Sequence, residues 1–202
     1  TIKLSLIVTI GQVVTCSLAA YSFAKMDYPG RDKIFLCYLA TMMVPWHAIM
    51  IPQFIVVKAF GMYNTHLSLI VLQAFSAFGV FLLRQNMLSI PNSLHEAAKI
   101  DGCSTFGIYR RIILPLSQNG LATLTVLTFN SVWNDYMGPM IYLDSDRLKT
   151  IQLGLASFQQ QFSADYGAIM AGTVCSVIPI IIVYCIGQKY IVEGVAFAGV
   201  KG

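Results

Sequence analysis

Apolar residues run through this chain in long blocks, separated by short polar stretches. Five blocks stand out: about Leu4 to Ala24, Ile34 to Val57, Leu67 to Leu83, Gly120 to Tyr142 and Ala168 to Tyr190. Each is near the ~20 residues a helix needs to cross ~30 Å of hydrocarbon, the third being the shortest. No block alternates with period two, so the pattern predicts helices and no sheet. The expected fold is all-α, a multi-span helical membrane bundle with five spans in residues 1–202.

Prolines modify that picture. Pro45 and Pro52 fall in the second block and Pro179 in the fifth, so these helices should be kinked or broken. Gly11, Gly79, Gly172 and Gly187 are placed for close helix approach. The 143–167 loop is polar and carries Gln159, Gln160 and Gln161 in a row.

One polar island interrupts the apolar blocks. Pro91 ends the preceding segment, and Ser93 with Glu96 has the form of a capping box. A short helix is expected to run from there to Asp101, with Gly102 as a left-handed C-cap. Leu94, Ala97, Ala98 and Asp101 share one face at i, i+3, i+4, i+7. The two alanines would let another backbone come close. A second helical piece, about Thr105 to Ile113, places Phe106, Tyr109 and Ile113 together, before Leu114 and Pro115 end it. By itself this segment reads as a capped amphipathic connector.

Charge then orients the chain. Lys25, Arg31, Lys33, Arg84, Lys99, Arg110, Arg111, Lys189 and Lys201 fall on one side, and Lys3, Lys58, Arg147 and Lys149 on the other. That bias puts the island in the cytoplasm. Composition agrees with a membrane: 56% hydrophobic residues, 11% charged and a mean hydropathy of +0.68. The net charge of +4 is scattered between apolar blocks, which argues against nucleic acid. Cys16, Cys37, Cys103, Cys175 and Cys185 show no metal-ligand spacing and read as small buried apolar residues. The first residue is Thr1 with no signal peptide before the first block, so a longer protein is expected.

Glu96-Ala97-Ala98, three residues, Gly102, nine residues, Ile112-x-Leu114-Pro115 resembles the cytoplasmic signature loop of binding-protein-dependent ABC importer permeases. Asp101 before the glycine is similar to the sugar-importer branch. Ala20-Tyr21-Ser22-Phe23-Ala24 with Tyr28-Pro29-Gly30-Arg31 resembles the family's first cytoplasmic turn, and Gly194 to Gly202 the C-terminus of maltose-type second permeases. The resemblance implies one type I importer transmembrane domain lacking its first helix, with residues 92–115 as an ATPase-docking loop. Docking would rest on Glu96, Ala97, Ala98, Asp101, Gly102, Leu114 and Pro115. It further implies a homologous second permease, two ATPase subunits that bind ATP and Mg, an extracytoplasmic solute-binding protein, and a bacterial or archaeal cytoplasmic membrane. No Gly-x-x-x-x-Gly-Lys-Ser/Thr loop occurs in these residues, so this chain is expected to bind no cofactor and to be a transport subunit, not an enzyme.

Candidate pathway residues are polar groups within the blocks. Asn130 and Asn134 share a helix face, with Trp133 nearby. Amides beside a ring suit a sugar, although Trp133 also fits an outer aromatic belt and Asp135 an interface. His47 and Gln73 are weaker candidates whose alternative is plain packing. The expected cargo is a sugar; a glycerol-phosphate ester or a peptide is the alternative. Block centres without Lys or Arg favour neutral cargo. His47, His66 and His95 lie on separate segments and no carboxylates pair, against an intramembrane enzyme. No filter-like run suggests a channel.

Overall fold

The computed structural model describes residues 1–158 and 165–199, without the side chains of 190–199. The glutamine run Gln159 to Gln161 and the terminal Val200-Lys201-Gly202 lie outside the described residues. Twelve α-helices follow in order: α1 (Ile2–Lys25), α2 (Arg31–Ala40), α3 (Trp46–Ala59), α4 (His66–Gln73), α5 (Ala77–Leu88), α6 (Asn92–Ile100), α7 (Thr105–Ile108), α8 (Leu114–Leu116), α9 (Gln118–Trp133), α10 (Met137–Tyr142), α11 (Ile151–Ala156) and α12 (Tyr166–Gly199). A π-helical turn, Tyr109–Ile113, joins α7 to α8.

Among the described residues two helices are continuous and apolar enough to cross a membrane, α1 and the Tyr166–Lys189 part of α12. Three bent pairs make up the remainder: α2 with its following 3-10 turn against α3 at 97°, α4 against α5 at 41°, and the Thr105–Leu116 segment against α9 at 77°. The second block therefore breaks where proline predicts. Pro45 stands at the N-cap of α3, and its fixed φ and missing N–H suit that position. Pro52 and Pro179 leave their helices unbroken.

The third block departs from expectation. It is two half-helices separated by Ala74, Phe75 and Ser76, with no proline to announce the break. Tertiary hydrogen bonds hold it open. Gln12 Nε2 donates to the Gln73 carbonyl (3.0 Å), Thr15 Oγ1 to that of Ala74 (2.6 Å), and Cys16 Sγ to that of Ser76 (3.5 Å). These donors sit at i, i+3 and i+4 on α1, one face answering the carbonyls that the break exposes. Ser76 caps α5 by accepting from Gly79 N (3.0 Å). The fourth block also ends early, α9 stopping at Trp133 and the chain reforming as α10 after Asp135 accepts from Gly138 N (3.1 Å).

The core has two parts. One gathers Cys16, Ala20, Leu83, Met87, Ile113 and Leu124 around the α1–α5–α9 junction. The other, at the opposite end of α1, holds Leu4, Val8, Val57, Leu69, Val132 and Tyr142. At the junction a Cβ on Gly79 would stand 2.9 Å from Cys16 Sγ and 3.1 Å from Leu124 Cδ1. Gly79→Val is accordingly expected to destabilise the protein by ~1–3 kcal/mol through overpacking, read as a lowered thermal midpoint in detergent. Gly172 and Gly187 are similarly close to Leu155 and Val126, whereas Gly11 faces open space and serves no close approach. Much of α12 leaves its apolar side chains uncovered, among them Met170, Val174, Ile178 and Ile182, as a lipid-facing or subunit-facing helix would. All five cysteines are free, and of these only Cys16 is buried.

Candidate functional site

The signature segment forms a projecting elbow at the end of the molecule that carries the C-terminus of α1. Its first helix starts at Asn92, one residue before Ser93. Pro91 occupies the N-cap, so Ser93 is already inside the helix and makes no capping bond. The expected capping box with Glu96 is therefore not formed. Pro91's restricted dihedrals preset the first turn in its place.

The C-terminus does follow expectation. Gly102 has φ +78°, a left-handed conformation in which a Cβ is strained. Gly102 N donates to the Lys99 carbonyl (3.2 Å) and Cys103 N to that of Ala98 (3.0 Å), the paired bonds of a Schellman cap. The predicted shared face of α6 is divided. Ala98 is buried against the chain's own core, while Leu94, Glu96, Ala97 and Asp101 face outward. Close approach at Ala98 is thus intramolecular, and Ala97 is the alanine left for another molecule.

Beyond the cap, Ser104 accepts from Gly107 N and starts α7. Thr105 to Ile113 is one α-helical turn passing into the π turn, not a single α-helix. Tyr109 and Ile113 turn inward, but Phe106 does not join them and is 62% exposed. Ile100 is 86% exposed. Arg110, Arg111 and Pro115 are exposed, and Leu114 is half-buried against the core. The segment thus exposes the apolar side chains of Ala97, Ile100 and Phe106 together with Glu96, Asp101, Arg110 and Arg111.

A second feature lies toward the other end of α1. A cavity of about 480 Å³ opens beside the break in the third block, lined among others by Gln12, Trp46, His47, Gln53, Gln73, Phe75 and Asp135. Gln73 Nε2 donates to Asp135 Oδ2 (2.8 Å), and Thr128 Oγ1 donates to Gln12 Oε1. Gln53 Oε1 accepts from Trp46 Nε1 (2.9 Å) and Tyr142 OH (3.0 Å). Among the described residues the lining includes one carboxylate and one histidine, and no lysine or arginine. Amide groups, hydroxyls and aromatic faces are what a polyhydroxylated ligand needs.

The sequence candidates are divided by this geometry. His47 and Gln73 line the cavity, whereas Asn130 and Asn134 are exposed outside it. Asn134 Nδ2 donates to Asn130 Oδ1 and Gln152 Nε2 to Asn134 Oδ1, so these amides tie α9 to α11. Trp133 neither lines the cavity nor joins an outer belt. It is 2% exposed, stacks on Phe129, and donates from Nε1 to the Ser176 carbonyl of α12 (3.0 Å). Asp135, for which a cavity and the interface were both open, is a lining carboxylate. Sequence reasoning missed Gln12 and Gln53, whose signal was an amide inside an apolar block.

Comparison with known proteins agrees with the signature. Residues 14–196 match the family model described as binding-protein-dependent transport system inner membrane component. The arabinooligosaccharides transport system permease protein AraQ of Halalkalibacterium halodurans is 32% identical over 98% of this chain and 71% of its own length. The lactose transport system permease protein LacG of Rhizobium radiobacter is 34% identical over 96% of this chain and 71% of its own. A chain from the crystal structure of a bacterial ABC transporter involved in the import of the acidic polysaccharide alginate superimposes with a TM-score of 0.84 at 28% identity, covering 94% of this chain and 72% of that one. The fold is thus shared with an importer permease, and this chain belongs to the family of binding-protein-dependent transport system inner membrane components.

Proposed function

We propose that this chain is one of two homologous membrane-spanning subunits of an ATP-driven importer of neutral sugars or oligosaccharides. It lines half of the pathway and couples to a separate ATPase through residues 92–115. The observation that carries the docking part is the exposure of three apolar side chains on the elbow, Ala97, Ile100 and Phe106. Apolar side chains of that size on a polar cytoplasmic segment call for a protein partner. Glu96 and Asp101 offer acceptors to basic groups on that partner, and the Gly102 cap holds α6 short and rigid. Two ATPase subunits would supply ATP and Mg, which this chain has no phosphate loop to bind. An extracytoplasmic binding protein would deliver the cargo, and the setting is the cytoplasmic membrane of a bacterium or archaeon.

Two considerations support a neutral sugar. Two of the three proteins named above carry arabinooligosaccharide and lactose titles, the third being tied to an acidic polysaccharide, and among the described residues the cavity has hydrogen-bonding amides with aromatic faces and no Lys or Arg to hold an anion. Co-purification tests the core of the reading. Full-length chain, co-expressed with its second permease and well inserted, should retain the ATPase through detergent extraction and size exclusion. A stable, inserted permease pair that retains none would refute it.

A further inference from the structure

Among the described residues one charged side chain is buried, Lys25 at the last turn of α1. No carboxylate pairs with it within that set. Its Nζ donates instead to the Ile90 carbonyl (2.6 Å) and to Asn92 Oδ1 (2.7 Å). Burying an ammonium against two neutral acceptors does little for stability, since an apolar side chain of similar length would pack there without desolvating a charge. The residue is better explained by where those acceptors lie. Ile90 follows the end of α5, and Asn92 is the first residue of α6. Lys25 therefore clamps the corner where the third block passes into the docking helix.

The same face of α1 carries further bonds. Tyr21 OH donates to the Thr105 carbonyl at the start of α7 (3.1 Å), and Ser17 Oγ lies 2.8 Å from Tyr109 OH in the π turn. Those two reach the second half of the elbow; Lys25 reaches α6 itself. From Lys25 to Gln12 is ~20 Å of uninterrupted helix at 1.5 Å per residue. At its far end Gln12, Thr15 and Cys16 hold the broken third block, and Gln12 bonds Thr128 on the cavity wall. One rod is thus bonded at one end to the elbow and at the other to the cavity.

We infer that Lys25 is a positioning residue for transport, locking α6 to α1 so that a displacement of the docking helix reaches the break at 74–76 and the cavity beside it. The inference rests on the docking role proposed for α6. A discrete mechanical link of this kind is what coupling between distant sites requires. Without Lys25, α6 keeps Ala98 in the core and His95 beside the Tyr21 ring, but the hydrogen bonds that fix its first turn to α1 are lost, and that turn can shift without moving the rod.

The test uses the complete importer in proteoliposomes, with both permeases, the ATPases and the binding protein, measuring sugar uptake and ATP hydrolysis in the same vesicles. Lys25→Met is expected to keep the ATPase bound, to leave thermal stability and basal hydrolysis within about twofold, and to lower sugar imported per ATP by at least about tenfold. Lys25→Gln, with one donor group left, should fall between, and Lys25→Arg should restore the ratio. An unchanged ratio in Lys25→Met overturns the inference. So does loss of the ATPase from Lys25→Met and Lys25→Gln alike, which would make Lys25 a folding residue. If the wild-type complex itself retains no ATPase, the docking reading fails first and the latch falls with it.

Discussion

Ala97→Arg is expected to strip the ATPase from the purified permease complex while leaving the permease pair inserted and folded. Ala97 is exposed on α6 and has no core contact to lose. A guanidinium there would be forced between two closely packed surfaces and left without a partner. Truncating or blocking a central contact of this kind costs ~2 kcal/mol or more, about thirtyfold in affinity. Glu96→Arg should act in the same direction by reversing the charge offered to a basic partner. Ala98→Arg should behave differently. Ala98 is 6% exposed and packs inward, so a large charged side chain there is expected to lower insertion and yield, not merely docking. Quantitative immunoblotting of the ATPase against the permease, with insertion measured in parallel, separates the two. Equal retention by wild type and Ala97→Arg would remove α6 from the interface.

The second large effect is expected at the cavity. Asp135 holds both flanks of the wall, accepting from Gln73 Nε2 and from Gly138 N. A Cβ at Gly138 would stand 2.5 Å from Asp135 Oδ2, so the carboxylate and the glycine are fitted to each other. Asp135→Leu removes the acceptor and leaves the Gln73 amide and the Gly138 N–H unpaired, at a cost of ~1–3 kcal/mol for a buried donor. Uptake should drop by about tenfold or more because the cavity wall loses both bonds, with the ATPase still attached. Asp135→Asn, which keeps shape and one acceptor, should lose less. Uptake unaffected by Asp135→Leu would place the pathway elsewhere on the chain.

How much of the fold and the site is legible in the sequence depends on whether the information is local. The Gly102 cap was legible because left-handed backbone demands glycine and the preceding residues are helix formers. The break at Pro45 was legible for the same kind of reason. The break at Ala74 to Ser76 was not, because its cause is on another helix. Three donors of α1 satisfy its carbonyls, and nothing in the local sequence but Ser76 hints at a new N-terminus. A polar triplet at 12, 15 and 16 on one face of an apolar helix was the available signal. Trp133 shows the opposite failure. An aromatic near polar groups suggests either a ligand contact or an outer aromatic belt, yet its N–H is satisfied by the Ser176 carbonyl of a helix more than forty residues away. Asn130 and Asn134 were properly paired by spacing, but spacing does not say which way a face points.

The docking and cavity assignments meet in one measurement: uptake of a labelled neutral oligosaccharide into proteoliposomes containing the full-length chain, its second permease, the ATPases and the binding protein. The account predicts accumulation that needs both ATP and the binding protein, is abolished by Ala97→Arg, and is lowered by Asp135→Leu without loss of the ATPase. Accumulation that proceeds without ATP, or is indifferent to both substitutions, would contradict it.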